Sequence, residues 1–280
     1  MSGHSRSRVP EPTVSFWLVK VLTTGMGEAV SDFLVTRFNP VPTVLLTAVV
    51  FAVVLGAQLR LRRYVPALYW AAVSMVGIFG TMAADVVHVA LDIPYAVSTP
   101  MFLLALAAVF VVWRRAEGSV DVHTVTTGRR ELLYWAAVIT TFAAGTAAGD
   151  LLASTADLGY LGGAVFFAAI MAVIVGLRSA RLVGPVVGFW AAYVVTRPLG
   201  ASIADWLGVE PMRGGLGFGS GTVGGIALVI IVLLVSALSV RERAGSPTAA
   251  RPASADPSVE SAGIARRPGS GQRKDSPRTR

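Results

Sequence analysis

The sequence predicts an all-α, polytopic membrane protein: eight transmembrane helices arranged as four parallel two-helix repeats, pseudo-symmetric about the membrane normal. Three observations carry that expectation. The 280 residues are 54% hydrophobic and 14% charged, with a mean hydropathy of +0.65, outside the range of water-soluble domains. Eight apolar runs are long enough to cross a hydrocarbon core of ~30 Å. One short pattern recurs four times.

That pattern reads FWLVKVLTTGMGEAVSD at 16–32, YWAAVSMVGIFGTMAAD at 69–85, YWAAVITTFAAGTAAGD at 134–150 and FWAAYVVTRPLGASIAD at 189–205. Each copy is an aromatic, Trp, nine residues, Gly, four residues, Asp. With 29 Gly and nine Asp in 280 residues, a given Trp carries that Gly and Asp by chance about once in three hundred cases. Four of the six Trp do so, namely Trp17, Trp70, Trp135 and Trp190. The glycines are Gly27, Gly80, Gly145 and Gly200, small residues that let neighbouring helices approach closely.

After an N-terminal segment (1–13), the expected spans are 14–35 and 41–59, 67–91 and 96–113, 132–153 and 160–177, then 182–207 and 222–240. They group into a membrane domain over 14–240, with repeats at 14–59, 67–113, 132–177 and 187–240. A bilayer admits only helices or a closed barrel, and runs of this length fit helices. No cleavage site follows the first apolar run, which is therefore expected to remain as a span. Residues 244–280, rich in Ser, Pro, Gly and Arg, are expected to be a disordered basic tail.

Basic residues set the orientation. Arg6, Arg8, Arg60, Arg62, Arg63, Arg114, Arg115, Arg129, Arg130, Arg178, Arg181, Arg241 and Arg243 fall on one side, and only Arg37 and Arg213 on the other. Both termini are thus expected in the cytoplasm of a multi-pass protein of the bacterial plasma membrane. In that frame the motif helices run from a Trp at the cytoplasmic interface to an Asp ~22 Å further on. The net charge of +8 lies in these loops and the tail, which argues against nucleic acid as a partner. The absence of Cys removes thiolate chemistry and disulfides. No G-x-S-x-G or H-E-x-x-H motif occurs, and the Gly-rich stretch 210–225 lacks the GK[ST] ending of a phosphate loop. A flexible external or re-entrant connection is expected there. No enzyme activity and no cofactor are expected.

The chemistry lies in a polar stripe. At 100° per residue, Trp17, Lys20, Thr24, Glu28 and Asp32 share a face, as do Trp190, Arg197, Ala201 and Asp205. Thr81 with Asp85, and Thr146 with Asp150, stand at matching heights. An intramembrane charge costs a few kcal/mol, so the four striped helices should surround a central axis, ringed by the four even-numbered ones. The partners expected are the lipid bilayer and a small cation or proton. Asp32, Asp85, Asp150 and Asp205 would carry it, with Glu28 as a further acid and Lys20 and Arg197 as internal counter-charges. Asn39, Asp92, Asp157 and Glu210 would make the outer mouth acidic. A second reading stands beside this one. Lys20 could pair with Glu28 or Asp32, and Arg197 with another Asp, locking the bundle of a non-transporting scaffold or sensor. Two basic residues, however, cannot neutralise five carboxylates. If the third span runs far enough, Asp85, His88 and Asp92 share a face and could hold Mn²⁺, Fe²⁺ or Zn²⁺; His88 could equally be an interfacial residue or a proton relay. Pro198 should loosen the seventh span.

The four two-span copies, each marked by its Trp, resemble a family of bacterial uncharacterised membrane-anchored proteins with four tandem copies of the repeat called domain of unknown function 347. The resemblance covers about 16–240. The first copy, with Lys20, Thr23, Thr24, Gly27, Glu28 and Asp32, carries the fullest pattern; the later copies replace the Lys and the Glu. The resemblance implies topology and membrane location and brings no established activity.

Overall fold

A computed structural model describes residues 7–61, 63–155 and 158–244. The expected tail, Arg6, Arg62 and Asp157 lie outside the described residues. Among those described there are eight long α-helices and no strand: α1 (Val14–Arg37), α2 (Pro40–Arg60), α3 (Pro66–Asp85), α4 (Tyr95–Glu117), α5 (Gly128–Asp150), α6 (Gly159–Ser179), α7 (Pro185–Gly208) and α8 (Ser220–Ala244). Side-chain oxygens of Thr13, Asn39 and Thr127 cap α1, α2 and α5, and proline opens α2, α3 and α7, where a missing N–H costs nothing. Pro198 lies inside a continuous α7.

Seven helices, α2 to α8, are long and apolar enough to cross a membrane. At 24 residues, α1 has the length of a span but not the composition, because Lys20, Glu28 and Asp32 interrupt it. Both Lys20 and Glu28 are buried in the protein.

The odd helices form a closed ring in which α1 packs on α3, α3 on α5, α5 on α7 and α7 on α1. Two layers of contacts repeat around it. The aromatic that opens each unit meets the Trp of the next: Phe16 with Trp70 at 5.5 Å, Tyr69 with Trp135 at 5.6 Å, Tyr134 with Trp190 at 6.0 Å, and Phe189 back to Trp17 at 5.6 Å between ring centroids. Ten residues beyond its Trp, each unit's glycine faces the residue seven beyond the Trp of the following unit. Gly27 meets Gly77, Gly80 meets Phe142, Gly145 meets Arg197, and Gly200 meets Thr24. All the Trp ends therefore meet at one end of the ring, so the four helices run in parallel.

The even helices form the outer layer. α2 packs on α3, α4 on α5 and α6 on α7. α8 lies against α1, where a Cβ on Gly221 or Gly224 would come within 2.8 Å of Phe33 or Val30. Each even helix thus covers the odd helix of the next unit; α2 touches α3 more extensively than α1. Their outer faces expose Leu45, Val49, Leu104, Val165 and Leu233, an apolar surface suited to lipid.

The Trp end is packed with aromatic rings, with a cavity of about 670 Å³ lined by Trp17, Phe189 and Trp190 beside it. Trp70, Trp135 and Trp190 are buried, and Trp113 of α4 inserts between Tyr134 and Trp190. The segment before α1 straps across this end. Arg8 donates from its backbone N–H to Val125 O at 2.9 Å and pairs with buried Glu131 at 2.7 Å, which also accepts from Gln58 at 3.0 Å. His123 sits between Asp121 (2.7 Å) and Glu11 (3.0 Å). The hydrogen bond to Asp121, against the opposing effect of burial, raises the His123 pKa above 6.5. For Asp121, burial pulls upward but the backbone and side-chain hydrogen bonds with His123 outweigh it, lowering its pKa below 3.8.

Candidate ion pathway

The central axis can be followed by counting along each odd helix from its Trp. Three residues on stand Lys20, Val73, Val138 and Tyr193; seven on, Thr24, Gly77, Phe142 and Arg197; eleven on, Glu28, Thr81, Thr146 and Ala201; fifteen on, the four Asp. Parallel helices in a ring bring each set to one level.

The last level opens into a cavity of about 840 Å³ lined by Glu28, Asp32, Asp85, Asp150 and Asp205, together with Tyr95, Tyr160, Glu210 and Arg213. All five expected carboxylates thus meet in one space. Among the described residues no Lys or Arg nitrogen forms an ion pair with Asp32, Asp85 or Asp205, while Asp150 is hydrogen-bonded by Tyr95. Carboxylate oxygens of Glu28, Asp32 and Asp205 lie within 4.8 Å of one another, the one such trio of ligand-type residues among the described residues. Three converging carboxylate oxygens suit a hard cation.

Arg197 closes the floor. Its fully buried guanidinium donates to Glu28 Oε2 at 2.5 Å, to Thr146 Oγ1 at 2.8 Å and to Thr81 Oγ1. The Thr81 hydroxyl is also 3.3 Å from Glu28 Oε2. The expectation that Arg197 pairs with an Asp is corrected, because four residues of rise separate its level from Glu28 and the long side chain spans that gap. Lys20 pairs with neither Glu28 nor Asp32. Its Nζ lies 4.4 Å from the Phe142 ring and 4.2 Å from the Tyr193 ring, with no hydrogen-bond partner.

Asp85, His88 and Asp92 are not brought together. α3 ends at Asp85 and one wide π-type turn, Val86–Ala90, follows; this breaks the register on which a shared face depended. His88 uses Nδ1 on Ile93 O at 2.8 Å and lies 3.3 Å from Ser98 Oγ through Nε2, while exposed Asp92 takes a positive φ of 51°. A second π-type turn, Leu151–Thr155, follows Asp150. Of the expected mouth residues, Glu210 lines the cavity, whereas Asn39 and Asp92 do not.

Tyr95, Tyr160 and Arg213 are site residues that the repeat pattern does not contain. Arg213 donates to the Tyr160 hydroxyl at 3.2 Å. The Gly-rich connection folds back over α7: the N–H groups of Leu216, Phe218 and Gly219 reach the carbonyls of Trp206, Leu207 and Gly208 at 2.7–3.1 Å, satisfying its last turn. The separate apolar cavity of about 670 Å³ beside Trp17, Met171 and Phe189 touches none of the five carboxylates.

A family model described as Repeat of Unknown Function (DUF347) matches the chain four times, over residues 15–64, 68–119, 133–181 and 188–244. No curated protein and no solved structure matches it.

Proposed function

The chain belongs to the family built from the Repeat of Unknown Function (DUF347), and we propose that it is an eight-span transporter of the bacterial plasma membrane. It moves a small cation, or moves a small solute at the expense of a proton gradient. Both termini face the cytoplasm, as the distribution of Arg supports, and the acidic cavity faces out. The eight spans are four parallel two-helix units about the membrane normal, and α1 crosses with its charges turned to the axis.

One observation carries this reading: five carboxylates meet in one cavity, and among the described residues the one Lys or Arg that forms an ion pair with any of them, Arg197, is committed to Glu28. Acids held together in a bilayer need water, protons or a cation between them, and such a cluster concentrates cations from outside. Asp32, Asp85, Asp150 and Asp205 exchange with the transported ion, while Glu28, fixed by Arg197, gives the site a rigid inner wall. The packed aromatic end opposite the acidic cavity supports an outward-open state, which alternating access requires at one stage.

The locking role is favoured for one pair alone, Glu28 with Arg197, which joins α1 to α7. For the four Asp the two roles separate experimentally. In proteoliposomes, Asp→Asn at 32, 85, 150 or 205 should abolish cation or proton flux while insertion and thermal unfolding stay as in the parent. Variants that all fail to insert, or that transport normally, would remove the proposal.

A further inference from the structure

Resting on the transport reading, we infer that the ion carried is the proton and that Lys20 relays it through the aromatic half of the bundle. Lys20 is fully buried, and its Nζ lies against the faces of Phe142 and Tyr193 with no hydrogen-bond partner. Its cation–π contacts join α1 to α5 and α7, but they leave the nitrogen without a hydrogen bond. No carboxylate pairs with it, it caps no helix, and an apolar side chain of similar length, such as Met, would fill the same space without taking an amine out of water.

Its position is informative. Lys20 stands on the axis between the Arg197 floor of the acidic cavity and the aromatic end, so any ion leaving the cavity along the axis meets it. A metal ion would have to pass the pinned guanidinium of Arg197 and then a second basic nitrogen, with no carboxylate at either level to replace the ligands it left behind. A proton needs only groups that take and release it. Facing Lys20 is the Tyr193 ring of α7, with Arg197 one turn further along α7 and Glu28 two turns further along α1; Tyr69 and Tyr134 stand in the next layer, towards the aromatic end. The Tyr69 and Tyr134 hydroxyls share a hydrogen bond of 2.5 Å. Beyond them, at the strapped end, buried Glu131 pairs with Arg8. In the relay the Lys20 ammonium gives a proton to the Tyr193 hydroxyl oxygen as that hydroxyl passes its own to the Tyr69–Tyr134 pair, which releases one to water at the strapped end, and the resulting Lys20 amine takes the next from the cavity. No heavy-atom bond changes and no electron is exchanged.

The test uses the full chain in liposomes containing a pH-sensitive dye, with the membrane potential clamped by potassium and valinomycin. Proton flux and thermal unfolding are measured for the parent, Lys20→Met and Lys20→Arg. The relay predicts flux lower by on the order of a hundredfold in both variants, with the unfolding temperature of Lys20→Met equal to or above that of the parent. Arginine keeps the charge but does not release its proton. Parent-like flux in either variant overturns the relay, as does loss of flux in Lys20→Met accompanied by a lower unfolding temperature. If Lys20→Arg is not recovered folded, Lys20→Met decides by the same criteria. A parent protein that carries labelled Rb⁺ or Mn²⁺ but no proton sinks this inference and leaves the transport reading standing. One that carries none of them sinks both.

Discussion

Replacing the repeat glycines by alanine tests the closure of the ring, and the structure orders the outcomes. A Cβ on Gly200 would lie 2.0 Å from Thr24 Oγ1, 2.8 Å from its Cβ and 2.9 Å from the backbone nitrogen of Gly25; one on Gly27 would lie 2.7 Å from both Cα and C of Gly77. Backbone cannot swing aside, so α1 must move away from α7 or α3, an overpacking cost of about 1–3 kcal/mol. The gain from alanine in a helix, about 0.5–1 kcal/mol, offsets only part of it, leaving a net loss of roughly 1–2 kcal/mol. At Gly145 the obstacles are Cγ and Cβ of Arg197, at 2.5 and 2.7 Å, so the loss should be similar and should also disturb the bond to Glu28. Gly80 has Phe142 Cβ at 3.3 Å and should tolerate alanine almost neutrally. Gly56 and Gly176, with nothing within 4 Å, should be stabilised by about 0.5–1 kcal/mol. Equilibrium unfolding in mild detergent gives the comparison. If Gly200→Ala stabilised the protein as Gly56→Ala does, the fourth and first units would not be in contact and the ring would be wrong.

Other expectations follow from the same structure. Arg197→Met leaves Glu28 buried and unpaired and should cost about 3–5 kcal/mol; adding Glu28→Gln should recover part of it, and a double-mutant cycle with coupling below about 0.5 kcal/mol would contradict the ion pair. The strap at the aromatic end should loosen with rising pH. The pKa of His123 is raised in the fold, so its contribution is complete below its unfolded value of 6.5 and is lost as pH climbs through the higher folded value. The pKa of Asp121 is depressed, so its contribution holds above 3.8 and is lost as pH falls through its lower folded value. Proteolysis within residues 7–13 should therefore be slowest between these limits and quicken at alkaline pH, and His123→Asn should abolish the alkaline change.

Much of this was legible from spacing. Trp, Gly and Asp at fixed offsets give four equivalent helices, and a period of 3.6 places Glu28 and the four Asp on faces that could turn to a shared interior. Spacing along one chain segment, however, says nothing of which helix lies beside which. The apolar cores of α2, α4, α6 and α8 carry no charged residue to tell one face from another, so nothing in the sequence said that an even helix covers the following unit. Nor does periodicity foresee a change of period: the turns after Asp85 and Asp150 shift to π geometry and separate Asp92 from Asp85. Arg197 to Glu28 was hidden because a long side chain reaches across a helical turn, and Tyr95 because a single aromatic at a helix start resembles any interfacial tyrosine.

The seam between the last unit and the first imposes an order on biogenesis. Glu28 waits for Arg197, 169 residues later in the chain, which at ~5–20 residues per second is about 8–34 s of synthesis. α8, which covers α1, is made later still. Until then α1, the one long helix among the described residues that falls short of a span's apolarity, carries an unshielded lysine and glutamate, so an insertase or membrane chaperone would have something definite to hold, and ribosomal pausing before α7 would prolong the protein's most vulnerable moment.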